Sequence, residues 1–332
     1  MHKTTRIAAC AAALLMAATV MADDAKLAKG PVKIYLLSGQ SNMTGRGNQG
    51  DLKKPAADQK ASLVRFIMEP QNVEKYKFLY KDDGKKGLTW TVRDDVFITM
   101  GDWPHDGKAD HGKHGGLGMN YGGFRNRGFG PELGIGHALG DFHDEPVLLV
   151  KASYGASSLG GDLRPPSSGG QVGDKYPLVV KALKEAIEHL PEIVPGYQKE
   201  TGYEIAGFFW NQGEHDASEN FAPEYETNLA NLIKDLRKEF NAPGMKAVIA
   251  VTGYGGWGNT NAGLKKVQEA QLALPKRPEF KDNVATVETR DFYRSQEKFG
   301  GNNQGIHWNG NGESYWLMGE AMGKAMVDLW KK

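Results

Sequence analysis

A serine and a histidine stand in two short motifs that lie far apart in the chain. Ser41 is the centre of the pentapeptide GQSNM (residues 39–43), and His307 lies in the segment QGIHWN (residues 304–309). A serine hydroxyl is a weak nucleophile until a base removes its proton, and histidine is the side chain that most often does so near neutral pH. The two residues therefore predict acyl transfer, with Ser41 as the nucleophile and His307 as the general base.

Acyl transfer also requires hydrogen-bond donors for the oxyanion that forms on the substrate carbonyl. The backbone N–H groups of Ser41 and Gly155 and the side-chain amide of Gln212 are suitable donors, and they come from three separate motifs. One such donor typically lowers the barrier by about 2.7–4 kcal/mol. We therefore predict an oxyanion hole formed by Ser41, Gly155 and Gln212.

The elements that would position these motifs alternate between strands and helices. Short runs of apolar and β-branched residues predict strands, and apolar residues at three- and four-residue steps predict helices. The predicted strands cover residues 32–38, 146–153, 205–210, 246–252 and 283–289, and the predicted helices cover residues 130–142, 174–190, 223–240 and 313–330. This alternation favours an α/β protein with a parallel sheet. The carboxyl ends of its strands would bring the motifs to one edge.

Residues 44–129 interrupt the alternation. They contain only short strand signals, at residues 63–67 and 96–99, among many Gly, Asp and Lys residues. We interpret them as one long insertion after the first strand, of the kind that shapes a binding site at the end of a sheet. The chain shows no internal repeat, Pro-rich linker or heptad pattern, so residues 23–332 are predicted to form a single domain.

The first 22 residues have the composition of a secretory signal peptide. A basic start precedes an apolar stretch at residues 8–20, and small residues precede Asp23. The stretch is too short to span a bilayer. The one cysteine of the chain, Cys10, precedes most of the stretch, so we do not predict a lipid anchor. We expect an exported protein, either periplasmic or extracellular.

Composition excludes several other classes of function. The 41 Lys and Arg residues balance the 40 Asp and Glu residues without a basic patch, so we expect no nucleic-acid partner. No further apolar run approaches membrane-spanning length, so we expect no membrane anchor. The short ligand pairs typical of zinc sites are absent, so we predict neither a metal nor another cofactor. The histidines and carboxylates at irregular spacing that prompted this comparison are His105, Asp106, Asp110, His111 and His114.

The motifs together resemble those of the SGNH hydrolases, and more narrowly the sialate O-acetylesterase and carbohydrate esterase family 6 branch. GQSNM, then WNQGEHD (residues 210–216), then a histidine ahead of the last helix follow in the same order, and the resemblance spans roughly residues 32–326. It implies a three-layer α/β/α sandwich around a mainly parallel, five-stranded, flavodoxin-like sheet. It also implies removal of O-acetyl groups from carbohydrate, with Ser41 as nucleophile, His307 as base, and Gly155 and Gln212 in the oxyanion hole.

The sequence departs from this family at Gln304, where many members carry an aspartate three residues before the histidine. A neutral amide can orient an imidazole but does not stabilise imidazolium as a carboxylate does. Three alternatives follow. Glu214 or Asp216 reaches His307 and completes a triad. A backbone carbonyl, such as that of Gly305, accepts the Nδ1 proton. In the third, the chain is catalytically weak and binds carbohydrate on a degenerate esterase scaffold.

Residues next to these motifs are candidates for substrate contacts. We predict that Asn42, Asn211 and Trp308 contact an acetylated carbohydrate. Indole rings stack on sugar rings, but ordinary packing explains large aromatic residues equally well. Arginine side chains in loops can contact an acidic sugar, although most are simply solvated. The further aromatic and basic candidates are Trp90, Trp103, Trp257, Arg125, Arg127 and Arg164.

Each candidate also has an ordinary structural interpretation. Ser41 and Asn42 are common residues at a helix N-cap. Gly155 can be a turn former, and His307 can be a buried histidine with satisfied hydrogen bonds. Glu214 can be an acid that holds loops together rather than a member of a triad. Only the arrangement of the motifs in space separates these alternatives.

Overall fold

The computed structural model describes residues 30–101, 113–123 and 128–332. The predicted signal peptide, residues 1–22, lies outside the described residues. So do several candidates from the long insertion, namely Trp103, His105, Asp106, Asp110, His111, Arg125 and Arg127.

A seven-stranded sheet forms the centre of the described chain. The strands, numbered along the chain, are β1 Val32–Gly39, β2 Tyr80–Asp82, β3 Leu88–Trp90, β4 Val96–Met100, β5 His114–Gly116, β6 Val147–Ser153, β7 Tyr203–Asn211, β8 Lys246–Ala250 and β9 Val284–Val287. The sheet has the order β5-β4-β6-β1-β7-β8-β9, while β2 and β3 form a separate antiparallel hairpin. Neighbouring strands of the sheet run parallel, except that β5 pairs with β4 in the antiparallel sense.

Helices of very different length lie between these strands and after the last of them. They are α1 Ser41–Thr44, α2 Leu63–Ile67, α3 Val73–Tyr76, α4 Glu132–Gly140, α5 Tyr176–Glu188, α6 Leu190–Ile193, α7 Tyr225–Glu239, α8 Ala262–Ala273, α9 Gln296–Phe299 and α10 Gly312–Trp330. Among the described residues, no helix is both long and apolar enough to cross a membrane.

The longer helices cover both faces of the sheet and complete a three-layer α/β/α sandwich. Successive side chains of a strand point to opposite faces. Leu36 of β1 packs in one core cluster with Leu183 of α5 and Ile233 of α7, whereas Leu37 packs in the other with Met322 of α10. Because both faces are buried, the central strands are continuous apolar runs, as parallel sheets require. The predicted fold class is confirmed.

The sheet is larger than the five strands expected from the sequence. All five predicted strands are present, and the insertion adds β4 and β5 at one edge. The strand signal at residues 96–99 therefore belongs to the main sheet. The predicted strand at residues 63–67 is wrong, because these residues form α2. The Ser62 hydroxyl caps this helix by accepting a hydrogen bond from the Arg65 N–H at 3.0 Å.

The connection between β1 and its neighbours sets the position of the GQSNM motif. The Gln40 N–H donates to the Asn211 carbonyl at 3.1 Å, and the Tyr154 N–H donates to the Gly39 carbonyl at 3.0 Å. Gly39 has φ +144°, and a Cβ added there would lie 2.1 Å from the Asn211 carbonyl oxygen. Only glycine fits this close approach. The ends of β1, β6 and β7 are thereby joined at one rim of the sheet.

Candidate active site

Ser41 is the first residue of α1 and lies at the carboxyl end of the central strand. Its Oγ is 3.0 Å from Nε2 of His307, which comes from the loop ahead of α10. On the other side of the imidazole, Nδ1 lies 3.2 Å from the side-chain Oε1 of Gln304. A carbonyl oxygen only accepts, so this contact selects the tautomer with the proton on Nδ1. Nε2 then presents its lone pair to the Ser41 hydroxyl.

The environment of His307 keeps the imidazole neutral. Burial, followed by the positive charge of Arg46, lowers the pKa of His307 to about 4. A neutral imidazole is the form that accepts a proton. The geometry of Ser41 and His307 is therefore that of a nucleophile beside a base in its competent state.

Asn42 joins the loop of Ser41 to the loop of His307. Its Nδ2 donates to Oε1 of Glu214 and, at 3.0 Å, to the carbonyl of Ile306. Its Oδ1 accepts a hydrogen bond from the Tyr315 hydroxyl at 2.7 Å. Asn42 is fully buried. The prediction that it contacts substrate is therefore corrected, because all its polar atoms are used in bracing the two loops.

Glu214 lies beside this brace and not beside the imidazole. It is 8% exposed, and burial raises its pKa to about 7 despite hydrogen bonds from Asn42 and from backbone N–H groups. One carboxylate oxygen is bonded to Asn42, and Nδ1 of His307 faces Gln304 instead. Glu214 therefore does not act as the third member of a triad in this arrangement.

Gln212 and Asp216 form a buried pair that holds neighbouring loops. The Gln212 amide donates to the Ser157 carbonyl at 2.9 Å and to Asp216 Oδ2 at 2.5 Å, and its Oε1 accepts from the Tyr225 hydroxyl at 3.1 Å. Asp216 also accepts from the backbone N–H groups of residues 159 and 160. Both amide hydrogens of Gln212 are thus engaged, and this geometry does not support the predicted oxyanion donor. It also places Asp216 away from the imidazole.

Two predicted oxyanion donors remain at the rim. Ser41 begins α1, and Gly155 follows β6 immediately after Tyr154, whose N–H is bonded to Gly39. Gly155 and Ser41 therefore lie after adjacent parallel strands, β6 and β1. The arrangement can bring their backbone N–H groups to one oxyanion, which stays a prediction.

The comparison with known families agrees with this geometry. The sequence profile of the family described as carbohydrate esterase, sialic acid-specific acetylesterase (SASA) matches residues 31–328. This protein belongs to the SASA family. The resemblance inferred from the three motifs is confirmed, and membership supports an esterase activity in general.

Individual relatives are distant. A probable carbohydrate esterase of Arabidopsis thaliana is 36% identical over 78 residues, which cover 23% of this chain and 28% of that relative. A solved structure of an Arabidopsis thaliana protein has a TM-score of 0.55 at 19% identity, covering 90% of this chain and 98% of its own. The crystal structure of NanS has a TM-score of 0.53 at 13% identity, covering 91% and 99%. At these identities the two structures show a shared fold.

The loop that carries His307 in this SASA-family protein is held by its neighbours. Trp308 and Asn309 have φ of 55° and 56°, a region that costs energy for residues other than glycine. The Trp308 ring packs against Tyr293 with centroids 5.9 Å apart, and Asn309 donates to the Tyr293 hydroxyl at 3.2 Å. Trp308 is only 1% exposed. The prediction that it contacts substrate is corrected, because its ring is buried against Tyr293 and anchors the loop.

Asn211 is a support as well. It is 3% exposed, and its Nδ2 donates to the thioether sulfur of Met318 at 3.0 Å. Its carbonyl accepts from Gln40 at the end of β1. The predicted substrate contact is therefore corrected here too.

The sequence interpretation missed a buried ion pair beneath the nucleophile. Lys151 of β6 donates to Glu132 Oε2 at 2.8 Å, to the Thr44 carbonyl at 2.6 Å and to the Tyr121 carbonyl at 2.7 Å. Lys151 is 2% exposed and Glu132 is fully buried. The pair ties the end of α1 to β6 and to the insertion. Its signal in the sequence was a lysine inside the otherwise apolar run VLLVKAS.

The remaining described candidates differ in their pairing and exposure. Arg164 pairs with Glu224 at 2.7 Å and hydrogen-bonds nearby carbonyls, so it braces a loop. Trp90 is half-buried in β3, whereas Trp257 is 63% exposed. Within the described ranges, no group of three or more His, Cys, Asp or Glu side chains has an arrangement that could hold a metal ion.

Proposed function

We propose that this SASA-family protein is an exported serine esterase that removes O-acetyl groups from carbohydrate. The observation that carries the proposal is the 3.0 Å contact between Ser41 Oγ and His307 Nε2, with Gln304 on the opposite nitrogen. Membership of a carbohydrate esterase family supports the class of substrate. The reaction passes through an acetyl-enzyme.

In the first half of the reaction, Ser41 Oγ attacks the acetyl carbonyl while Nε2 of His307 takes the hydroxyl proton. The tetrahedral oxyanion is stabilised by backbone N–H groups of Ser41 and Gly155. As the intermediate collapses, His307 returns the proton to the departing sugar oxygen. The products are a free sugar hydroxyl and acetylated Ser41.

In the second half, water attacks the acetyl group and His307 again serves as the base. Collapse of the second intermediate releases acetate and regenerates the Ser41 hydroxyl. Gln304 acts as a positioning residue in both halves, since it holds the proton on Nδ1. Every step is a proton transfer or an addition–elimination at the acetyl carbon, so the mechanism requires no cofactor.

The decisive test replaces the nucleophile. Ser41→Ala is expected to lower the kcat/KM for 4-nitrophenyl acetate, and acetate release from acetylated carbohydrates, by at least about 10³-fold. The circular dichroism spectrum and Tm should change little, because the substitution keeps Cβ and removes only the hydroxyl, whose hydrogen bond is to His307. Ser295→Ala is the matched control, since Ser295 is exposed and makes no cap hydrogen bond. Retained acetate release in Ser41→Ala would refute the assignment of the nucleophile.

A panel of acetylated compounds tests which class of substrate the protein prefers. Acetate release is measured with acetylated xylan, other acetylated polysaccharides and O-acetylated sialosides. We expect release from one carbohydrate class to exceed release from a simple aryl ester. Equal rates on all of them would instead indicate an unselective esterase.

One observation favours a second candidate function, a carbohydrate-binding protein on an esterase scaffold. The imidazole is oriented by the neutral Gln304. The nearby carboxylates of Glu214 and Asp216 accept hydrogen bonds from Asn42 and Gln212 instead. A serine-reactive organophosphonate distinguishes the two functions. Labelling of Ser41 supports the esterase, whereas glycan affinity without labelling supports the binding protein.

Export is part of the proposal and depends on the composition of residues 1–22. Expression of the full chain in a bacterial host should yield a processed protein that begins at Asp23. N-terminal sequencing of the periplasmic and culture fractions measures this directly. A cytoplasmic protein that retains Met1 would contradict it.

A further inference from the structure

Trp257 lies in the loop after β8 with 63% of its surface exposed. An indole is one of the largest apolar surfaces a side chain can bury, and solvent exposure forgoes that gain. The residue belongs to neither the Ser41–His307 pair nor either core cluster of buried residues. Among the described residues it is the most exposed of the large hydrophobic side chains.

The indole is held rigidly in this exposed position. Its Nε1–H donates to Asp291 Oδ1 at 2.7 Å, and the guanidinium of Arg290 lies 3.8 Å from the ring centroid. Arg290 is itself fixed by two hydrogen bonds to Glu288, at 2.8 and 2.6 Å. Arg290 covers one face of the ring, so the exposed surface is mainly the opposite face and the edge.

A cavity of about 260 Å³ adjoins the ring. Pockets for drug-sized ligands are typically about 300–1,000 Å³, so this one suits a smaller group such as a single sugar ring. The walls expose polar and apolar surface in similar amounts and carry both signs of charge. The polar and charged side chains of the lining are Asn259, Lys265, Gln268, Glu269 and Arg290, and Leu272 adds apolar surface beside Trp257.

This combination selects among possible occupants. A lipid or protein partner needs a larger contiguous apolar surface than one ring. A cation is already stacked on the indole, namely Arg290. A sugar ring matches both parts, because its C–H face packs on the indole while its hydroxyl groups bond to amide and charged side chains.

The Trp257 loop packs near Tyr293, which also contacts the loop that carries His307. A Cβ added at Gly256 would lie 3.4 Å from Cβ of Tyr293. Tyr293 in turn packs against Trp308 and accepts a hydrogen bond from Asn309. The indole and the imidazole are therefore carried by one packed unit.

We propose that Trp257 and its adjoining cavity form a distal sugar subsite. It holds one ring of a carbohydrate chain while the acetylated unit reaches Ser41. The substrate is then an oligosaccharide or polysaccharide and not an acetylated monosaccharide. This inference rests on the proposed esterase function.

The first experiment measures binding without catalysis. Neutral hexasaccharides of xylose, mannose and N-acetylglucosamine are titrated by calorimetry into the Ser41→Ala protein. At least one should bind, and adding Trp257→Ala should weaken that Kd about tenfold, while Trp257→Phe should retain most of the affinity. Val172→Ala, which truncates another exposed apolar side chain, is the matched control. Absence of binding by all three sugars, or an unchanged Kd in Trp257→Ala, would overturn the proposal.

The second experiment measures turnover in the otherwise unaltered protein. Trp257→Ala should raise the KM for the best acetylated polysaccharide about tenfold and leave kcat/KM for 4-nitrophenyl acetate unchanged. Equal loss on both substrates would overturn the subsite and show a structural role. If Ser41→Ala remained active, the proposed mechanism would fail, yet the calorimetric result would still decide whether the subsite exists.

Discussion

The two loops that flank Ser41 satisfy their polar groups in opposite ways. In residues 211–216, Glu214 and Asp216 are buried, and each carboxylate receives several hydrogen bonds. In residues 304–309, His307 is half-buried and its Nδ1 faces the neutral amide of Gln304. The carboxylates nearest the nucleophile therefore brace the loops, and the base depends on an amide.

A physical reason underlies this division. A buried carboxylate is costly unless donors surround it, and the donors hold it in place once they do. Asp216 receives two backbone N–H groups and the Gln212 amide, which leaves it no freedom to reach an imidazole. The carboxylates therefore hold the loop of residues 211–216 in place, and the reactive imidazole lies on the other loop.

Replacing a histidine by alanine in each of the two loops should give the largest difference in activity. His307→Ala should lower kcat/KM for 4-nitrophenyl acetate about 10³-fold or more, because it removes the base. His215→Ala, which changes an exposed histidine in the opposite loop, should leave it within about twofold. Steady-state kinetics of the two purified variants measures this. Equal losses would show that the functional division between the loops is wrong.

Glu214, in the loop of residues 211–216, should make the free energy of unfolding depend on pH. The pKa of Glu214 rises from 4.5 to about 7 on folding, chiefly through burial, so the folded state binds the proton more tightly. The resulting stabilisation is complete below pH 4.5 and is lost as pH rises to about 7. Glu214→Gln should reduce this decrease in the free energy of unfolding, measured by urea denaturation between these pH values.

Glu219→Gln is the control for that prediction, since Glu219 is exposed. A full pH dependence in Glu214→Gln would show that another group causes the decrease. A loss of several orders of magnitude in turnover at unchanged stability would instead make Glu214 part of the catalytic machinery.

The Gln304 amide that faces Nδ1 of His307 can be replaced by a carboxylate. Gln304→Glu should raise kcat several-fold, up to about tenfold, because a carboxylate stabilises imidazolium, although exposure of this position screens the gain. Gln304→Ala should lower kcat by a similar factor, since the Nδ1 tautomer loses its partner. If neither variant differed from the parent in its kcat or in the acid limb of its pH profile, Gln304 would have no positioning role.

The smallest expected effect concerns Arg46. Its charge, after burial, lowers the pKa of His307, so Arg46→Gln should raise the acid limb of kcat/KM from about pH 4. The limb should stay below pH 6.5, because burial remains. At pH 7 the rate should change little. A pH profile from pH 3 to 8 tests this, with Arg65→Gln, an exposed arginine of α2, as the control.

Much of the scaffold could be predicted because its signals are local. The apolar runs of β1, β6 and β7 mark strands buried on both faces, and each observed boundary lies within two residues of the prediction. The short run at residues 63–67 was misassigned, since four apolar residues around Arg65 fit a short strand or a capped helical turn. Only its contacts with the core distinguish the two.

The sequence by itself determined the family, the α/β architecture and the convergence of GQSNM, WNQGEHD and the His307 loop at one rim. The alternation of strands and helices and the place of the motifs at strand ends follow from local patterns and from the geometry of parallel sheets. Only the tertiary structure decided which polar atoms at that rim are already hydrogen-bonded to other protein groups. The brace from Asn42 reaches across 172 residues to Glu214 and 264 to Ile306, and such partners cannot be read from neighbours in sequence. Burial and distant hydrogen bonds therefore assign Gln212, Asn42, Asn211 and Trp308 to support, and leave Ser41 and His307 facing each other.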